Sequence, residues 1–208
     1  MVLPPSLSEE PSLLIADTSV VININATGCA ETLLNALPHR VAVVDVVVDE
    51  IEGGLRKGRQ DAAKLAQLIE SGLIKVVTLG PQGLLQFESL VIGASGGTLD
   101  DGEAATIAYA ADVGAHALIE ERKARRLAAD RYAAVPLGCT VDLLRHVNVE
   151  HALGTAGIAD ALHNALTGAR MRVLPHHIAW VVGVIGDERV ATCPCLPEVV
   201  RKQALARL

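Results

Sequence analysis

Aromatic side chains are scarce in this chain: Phe87, Tyr109, Tyr132 and Trp180 are the four among 208 residues. A protein that stacks successive bases of a single strand on aromatic platforms is therefore disfavoured. Cysteine is as sparse, and Cys29, Cys139, Cys193 and Cys195 show no C-x-x-C spacing. That usage argues for structural thiols in a reducing compartment and against a disulfide framework. Long apolar runs are missing too; the longest, 178–186, has nine residues, where a spanning helix needs about 20. Pro4, Pro5, Glu9 and Glu10 stand where a signal peptide has a basic and then an apolar stretch. The expectation is a cytoplasmic protein with no membrane partner. Positive charge is in deficit, with 18 basic residues against 24 acidic and a net charge of −6. No global basic field exists to drive nonspecific nucleic-acid binding, so any such contact must be local.

What the chain does have is apolar residues, half of the total, with no low-complexity tract. Its length suits one domain with a C-terminal elaboration. Short apolar runs at 13–16, 41–44, 74–78, 117–119 and 135–137 read as strands. Between them lie Ala- and Leu-rich stretches such as 61–71 and 102–113, whose apolar positions recur with a period near 3.6. Strands alternating with helices predict an α/β fold, a three-layer α/β/α arrangement with a central parallel sheet. Residues 1–11 are expected to be a flexible N-terminus, 12–145 the sheet-containing domain, and 146–208 a mixed helical extension. Within that extension 156–169 reads as a helix and 196–208 as a short final one, while 171–195 gives no clear pattern.

Four carboxylates follow strand or turn segments in order: Asp17, Glu50, Glu103 and Glu120. Asp17 and Glu120 fall at strand ends, and Glu50 and Glu103 are expected to open helices, with Thr98 or Asp100 capping the second. In an open parallel sheet, strand carboxyl ends and the following helix amino ends share one edge, where ligands bind. Taken singly, each acid has a plainer reading: Asp17 as a helix N-cap, Glu50 and Glu103 as first-turn residues favoured by the helix dipole, Glu120 as a surface charge. Converging, the four would form a divalent-metal site. Hydrolysis of a phosphodiester requires an activated water and a leaving oxygen relieved of charge, and carboxylate-held divalent ions serve both needs.

The motifs Ile-Ala-Asp17-Thr18-Ser19, Val-Val-Asp49-Glu50-Ile51, Leu-Asp-Asp-Gly102-Glu103-Ala-Ala-Thr-Ile and Leu-Ile-Glu120-Glu121-Arg-Lys-Ala-Arg, in this order over about residues 13 to 145, resemble the PIN domain. That family of metal-dependent ribonucleases includes the VapC toxins of toxin-antitoxin pairs. The resemblance implies an endoribonuclease in which Asp17, Glu103 and Glu120 hold Mg²⁺ or Mn²⁺ and Glu50 assists. Its fourth acid is usually aspartate, whereas here Glu120 is followed by Glu121, and Mg²⁺ accepts oxygens from either residue type. The implied partners are RNA, a second copy of the chain in a homodimer, and an antitoxin protein. A mean hydropathy of +0.37 points the same way on self-association. The alternative is a noncatalytic PIN-like module that binds RNA or protein.

Ser19 is placed to orient a carboxylate or water, or to cap the next helix. Two basic clusters follow acids: Arg56, Lys57 and Arg59, then Arg122, Lys123, Arg125, Arg126 and Arg131. Each reads either as a guide for the RNA backbone or as a solvated helix face. His176, His177, Cys193 and Cys195 lack the paired spacing of a zinc site. The stretch 93–97 has no phosphate-loop lysine, and 53–58 is not followed by the Lys-Ser/Thr such a loop needs. An aspartyl-phosphate mechanism would want a second acid two residues after Asp17, where Ser19 stands.

Overall fold

The computed structural model describes residues 7–55, 60–92 and 97–208. The cluster Arg56, Lys57 and Arg59, most of the glycine-rich stretch 93–97 and residues 1–6 of the expected flexible N-terminus lie outside them. The chain begins with β1 (Leu13–Ala16), α1 (Thr18–Ala26), α2 (Ala30–Ala36), β2 (Arg40–Val44), α3 (Asp45–Leu55) and α4 (Asp61–Glu70). It continues through β3 (Ile74–Val77), α5 (Pro81–Val91), α6 (Asp101–Val113), β4 (His116–Leu118), α7 (Arg122–Arg131) and β5 (Leu137–Gly138). Then follow α8 (Thr140–Leu144), α9 (Val147–Gly168), a 3₁₀ turn (Pro175–His177), α10 (Ile178–Ile185), α11 (Asp187–Thr192) and α12 (Glu198–Leu205). No helix among the described residues is long and apolar enough to cross a membrane.

The chain divides into two compact units, with breaks inside α1, between α2 and β2, and between β5 and α8. One unit, 8–21 and 38–139, holds all five strands. They form a wholly parallel sheet in the order β3-β2-β1-β4-β5, the central sheet of a three-layer α/β/α fold. Strands buried on both faces read as continuous apolar runs, and Leu14, Ile15 and Ala16 are fully buried, as are Ala42, Val43 and Val44. Helix α6 packs on β1, β2 and β4. Its Ala104, Ala105, Ile107, Ala108 and Ala110 are all fully buried. These small side chains let the helix lie close to the sheet, and close packing of this kind fills a core that has few aromatics.

The start of α3 departs from expectation. The valine-rich stretch after β2 turns helical at Asp45, whose Oδ1 accepts the Val46 N–H at 2.9 Å. Val47 and Ile51, four residues apart, then face the core on one stripe. Glu50 therefore sits at the sixth position of its helix and does not open it.

The other unit comprises Ile22–Leu37 and Thr140–Leu208 and is helical in its described part. Helices α2, α8 and α10 pack on α9, and α11 packs on α10 and α12. The buried face of α9 runs along Ile158, Ala161, Leu162, Ala165 and Leu166, a 3- and 4-residue repeat. The helix expected over 156–169 is the second half of α9. Its first half is set off by a break at Gly154, with φ 65° and ψ 172°.

Candidate active site

In a sheet ordered 3-2-1-4-5, chain direction reverses its sideways progress between β1 and β4, and the loops leaving those strands diverge to open a crevice. Asp17 follows β1 directly, and Glu120 lies two residues beyond β4. Ala16 pairs with Leu118 in register, and the Asp17 N–H donates to the Leu118 carbonyl at 3.2 Å. Both acids are buried, at 1% and 4% exposure. Asp17 also caps α1: its Oδ1 accepts the Val20 N–H at 2.7 Å, and the Glu120 N–H also donates to this carboxylate. The helix-cap reading of Asp17 is therefore correct, and the capping carboxylate lies at the same sheet edge as Glu120.

Burial raises the Asp17 pKa well above its ordinary value, and the charges of Glu120 and Glu103 raise it further against the pull of those two N–H groups. Glu103 stands in the first turn of α6. Its pKa is pushed up to about 7, chiefly by burial and then by Asp100 and Glu121, with the Asp100 N–H and Lys123 opposing. Asp100 occupies the N-cap position of α6 but its side chain makes no capping bond. Instead Glu103 reaches back to the Asp100 N–H, the reciprocal half of a capping box. Glu120 thus acts electrostatically on Asp17 and Glu121 on Glu103, so both adjacent glutamates bear on the site.

Glu50 is held differently. Its Oε1 accepts the Gly102 N–H at 2.9 Å, and its Oε2 takes a very short hydrogen bond from the Thr18 hydroxyl. The carboxylate thereby ties α3 to the first turns of α1 and α6, the two elements that carry Asp17 and Glu103. A Cβ on Gly102 would collide with Glu50 Oε2 and lie 2.9 Å from Thr18 Oγ1, so only glycine leaves room for this approach. Thr18 is the residue that sequence reasoning passed over; Ser19, its neighbour, is exposed. Two hydroxyls in a row give no sequence signal for which one turns inward.

Among the described residues, no three of the four carboxylates have oxygens all within 4.8 Å of one another. Like charges repel, and the acids stand apart while sharing one edge. The donors are all oxygen, the set that Mg²⁺ and Mn²⁺ take, and a cation would offset the repulsion that helps raise Asp17 and Glu103. Asp17, Glu103 and Glu120 have the oxygen donors such an ion takes but stand too far apart, as placed, for all three to share one ion, whereas both Glu50 oxygens are engaged.

Of the cations on α7, Arg122 and Arg126 are exposed and Lys123 acts on Glu103. Arg125 turns toward the sheet, with Nη1 2.9 Å from the Ile119 carbonyl oxygen and 2.7 Å from that of Gly138. Arg131 donates to the Ser89 carbonyl at 3.3 Å. In the helical unit, His177 Nε2 is 3.0 Å from Asp142 Oδ1, and Cys195 Sγ donates to the Leu166 carbonyl at 3.1 Å. His176, His177, Cys193 and Cys195 do not gather into one ligand set among the described residues.

A parallel sheet with acids at its switch point belongs to the class of α/β proteins that bind ligands along strand carboxyl ends. A family model for the PIN domain matches residues 13–176, and the chain belongs to the PIN domain family. PIN domains are in general nucleases that use divalent metals. Searches of the curated proteins and of the solved structures gave no significant match.

Proposed function

We propose that this protein is a divalent-metal-dependent endoribonuclease, with Asp17, Glu103 and Glu120 as the residues that would hold Mg²⁺ or Mn²⁺. The observation that carries the reading is the pair of acids at one sheet edge, Asp17 and Glu103, each with a pKa raised by burial and by neighbouring carboxylates. Carboxylates perturbed by burial and by one another mark a candidate functional site, and a cation there would relieve their repulsion. A bound divalent cation supplies charge stabilisation at the scissile phosphate and acidifies water. The chain's own part is to hold the ligands. Asp17 is fixed by two backbone N–H groups, Glu103 by the Asp100 N–H, and Glu50 locks the two helix starts with Thr18 and Gly102. Exposed Arg122 and Arg126, with Lys123, sit on the helix that follows Glu120 and offer cations to an RNA backbone that approaches acids.

The partners proposed with this activity are RNA, an antitoxin protein in a toxin-antitoxin pair, and a second copy of the chain. Leu84, Leu85 and Ile92 on and just after α5 are 49%, 62% and 71% exposed, which supports a protein partner. A strictly monomeric mass by light scattering at high concentration would remove the homodimer.

The test is cleavage of a mixed set of structured and unstructured RNAs with Mn²⁺, Mg²⁺ or EDTA, comparing wild type with Asp17→Asn. Asparagine keeps an oxygen for the Val20 N–H, so the helix cap survives. Removing a group that only hydrogen-bonds to a metal ligand already costs about 10- to 100-fold, so loss of a ligand is expected to lower cleavage at least about a hundredfold. Cleavage that persists in EDTA, or equal rates for both proteins, overturns the reading. Folded wild type that binds RNA without cutting it would assign the noncatalytic module.

A further inference from the structure

The geometry points to Arg125 as a positioning residue that sets the peptide between Ile119 and Glu120, and through it the site acids, with no role as an RNA-binding cation. The inference rests on the nuclease reading above. Helix α7 starts just past the acids, and the Arg125 N–H closes its first turn on the Glu121 carbonyl at 3.0 Å. The side chain then runs back to the ends of β4 and β5. Its Nη1 donates to the Ile119 oxygen at 2.9 Å and the Gly138 oxygen at 2.7 Å, which commits both protons of that nitrogen. Gly138 also accepts the Ile119 N–H at 3.0 Å, so one carbonyl ties the strand end to the guanidinium. Strand β5 has only two residues, and these bonds hold the sheet edge beyond the point where the ladder stops.

The Ile119 carbonyl belongs to the same planar peptide unit as the Glu120 N–H, and that N–H donates to the Asp17 carboxylate. Arg125 on the oxygen and Asp17 on the hydrogen therefore fix the peptide plane from opposite sides. Hydrogen bonds from a charged donor are about twice as strong as neutral ones, and in a buried chain each polarises the next. The result is a fixed orientation for the backbone that leads into Glu120 and a fixed donor for Asp17. Within a basic run of Arg122, Lys123, Arg125 and Arg126, Arg125 is the member with its charge turned into the protein.

The test uses the full chain with Arg125→Met, which keeps the apolar stem and removes the donors. Mn²⁺ affinity is measured by titration, kcat and KM on a cleaved RNA, and folding by circular dichroism. The expected result is Mn²⁺ affinity weakened about tenfold or more and kcat lowered, with KM for RNA within about twofold of wild type. Unchanged Mn²⁺ affinity with a raised KM and a salt dependence shallower by about one charge is the signature of a phosphate contact, and it overturns the proposal. Should the methionine variant fail to fold, Arg125→Lys serves: a shorter donor is expected to give an intermediate loss of Mn²⁺ affinity, and an unchanged affinity overturns the role. Wild type that neither binds Mn²⁺ nor cuts RNA overturns the nuclease reading and this role with it. Wild type that does both, beside a variant indistinguishable from it, overturns the positioning role alone.

Discussion

Gly102 shows how much of the site depends on one missing atom. Its N–H donates to Glu50 Oε1, and the space its side chain would take is filled by Glu50 Oε2 and Thr18 Oγ1. Gly102→Ala would by helix propensity alone be favourable by roughly 1 kcal/mol. Here the added methyl must displace a carboxylate that is hydrogen-bonded on both oxygens, and overpacking of that kind costs about 1–3 kcal/mol. The expected outcome is net destabilisation, measured by urea unfolding, and a smaller effect of the same change in a Glu50→Ala background. Equal effects in both backgrounds would show that the clamp is not what glycine serves, since the double-mutant cycle reads only the coupling. Asp17, Glu103 and Glu120 were legible as site candidates because each stands next to an apolar segment whose end the sequence marks. Thr18 was not, and Arg125 was legible only as one cation of a basic run, because their partners, Glu50 and the carbonyls of Ile119 and Gly138, are identified only by the fold.

At the scale of elements, the five strands could be read because short apolar runs between breakers have few other uses in a chain of this type. Helix α3 was obscured by its β-branched start, Val46 to Val48, whose low helix propensity is overridden by burial of Val47 and Ile51. The first half of α9 was hidden by Gly154, where the helix breaks. At φ 65° and ψ 172° that residue sits in a region open in practice to glycine alone. Gly154→Ala is therefore expected to destabilise by about 1–3 kcal/mol, although open space surrounds the site. Gly183 in α10 has equally open space and no positive φ, so Gly183→Ala is expected to stabilise by about 0.5–1 kcal/mol. Thermal or urea unfolding of the two variants checks the pair; the same sign for both would mean that backbone conformation at 154 does not set the cost.

For the whole molecule, the raised pKa values make stability a function of pH and metal together. Glu103 moves from an ordinary 4.5 to about 7 in the folded protein, so between those values the folded state holds more protons than the unfolded one. Stability then falls as pH rises through that window; the contribution is complete below about 4.5 and lost above about 7. Asp17 acts in the same direction. Asp187, held below 3.8 by the Arg207 hydrogen bond, acts beneath the window. His116, which burial holds below 6.5, opposes the trend, so the informative comparison is with Glu103→Gln, in which His116 is unchanged. Metal-free wild type is expected to lose more Tm than that variant between about pH 5 and pH 8. A cation that binds only the folded state adds RT ln(1 + [L]/Kd), about 2.7 kcal/mol at a hundredfold excess over Kd, and it requires deprotonated ligands. Mn²⁺ should consequently raise wild-type Tm more at the higher pH, where it restores what ionisation removed, and should raise Glu103→Gln little at either. A gain from Mn²⁺ that is as large at pH 5, or that survives Glu103→Gln undiminished, would place the ion on other groups and leave the raised carboxylates with no part in holding it.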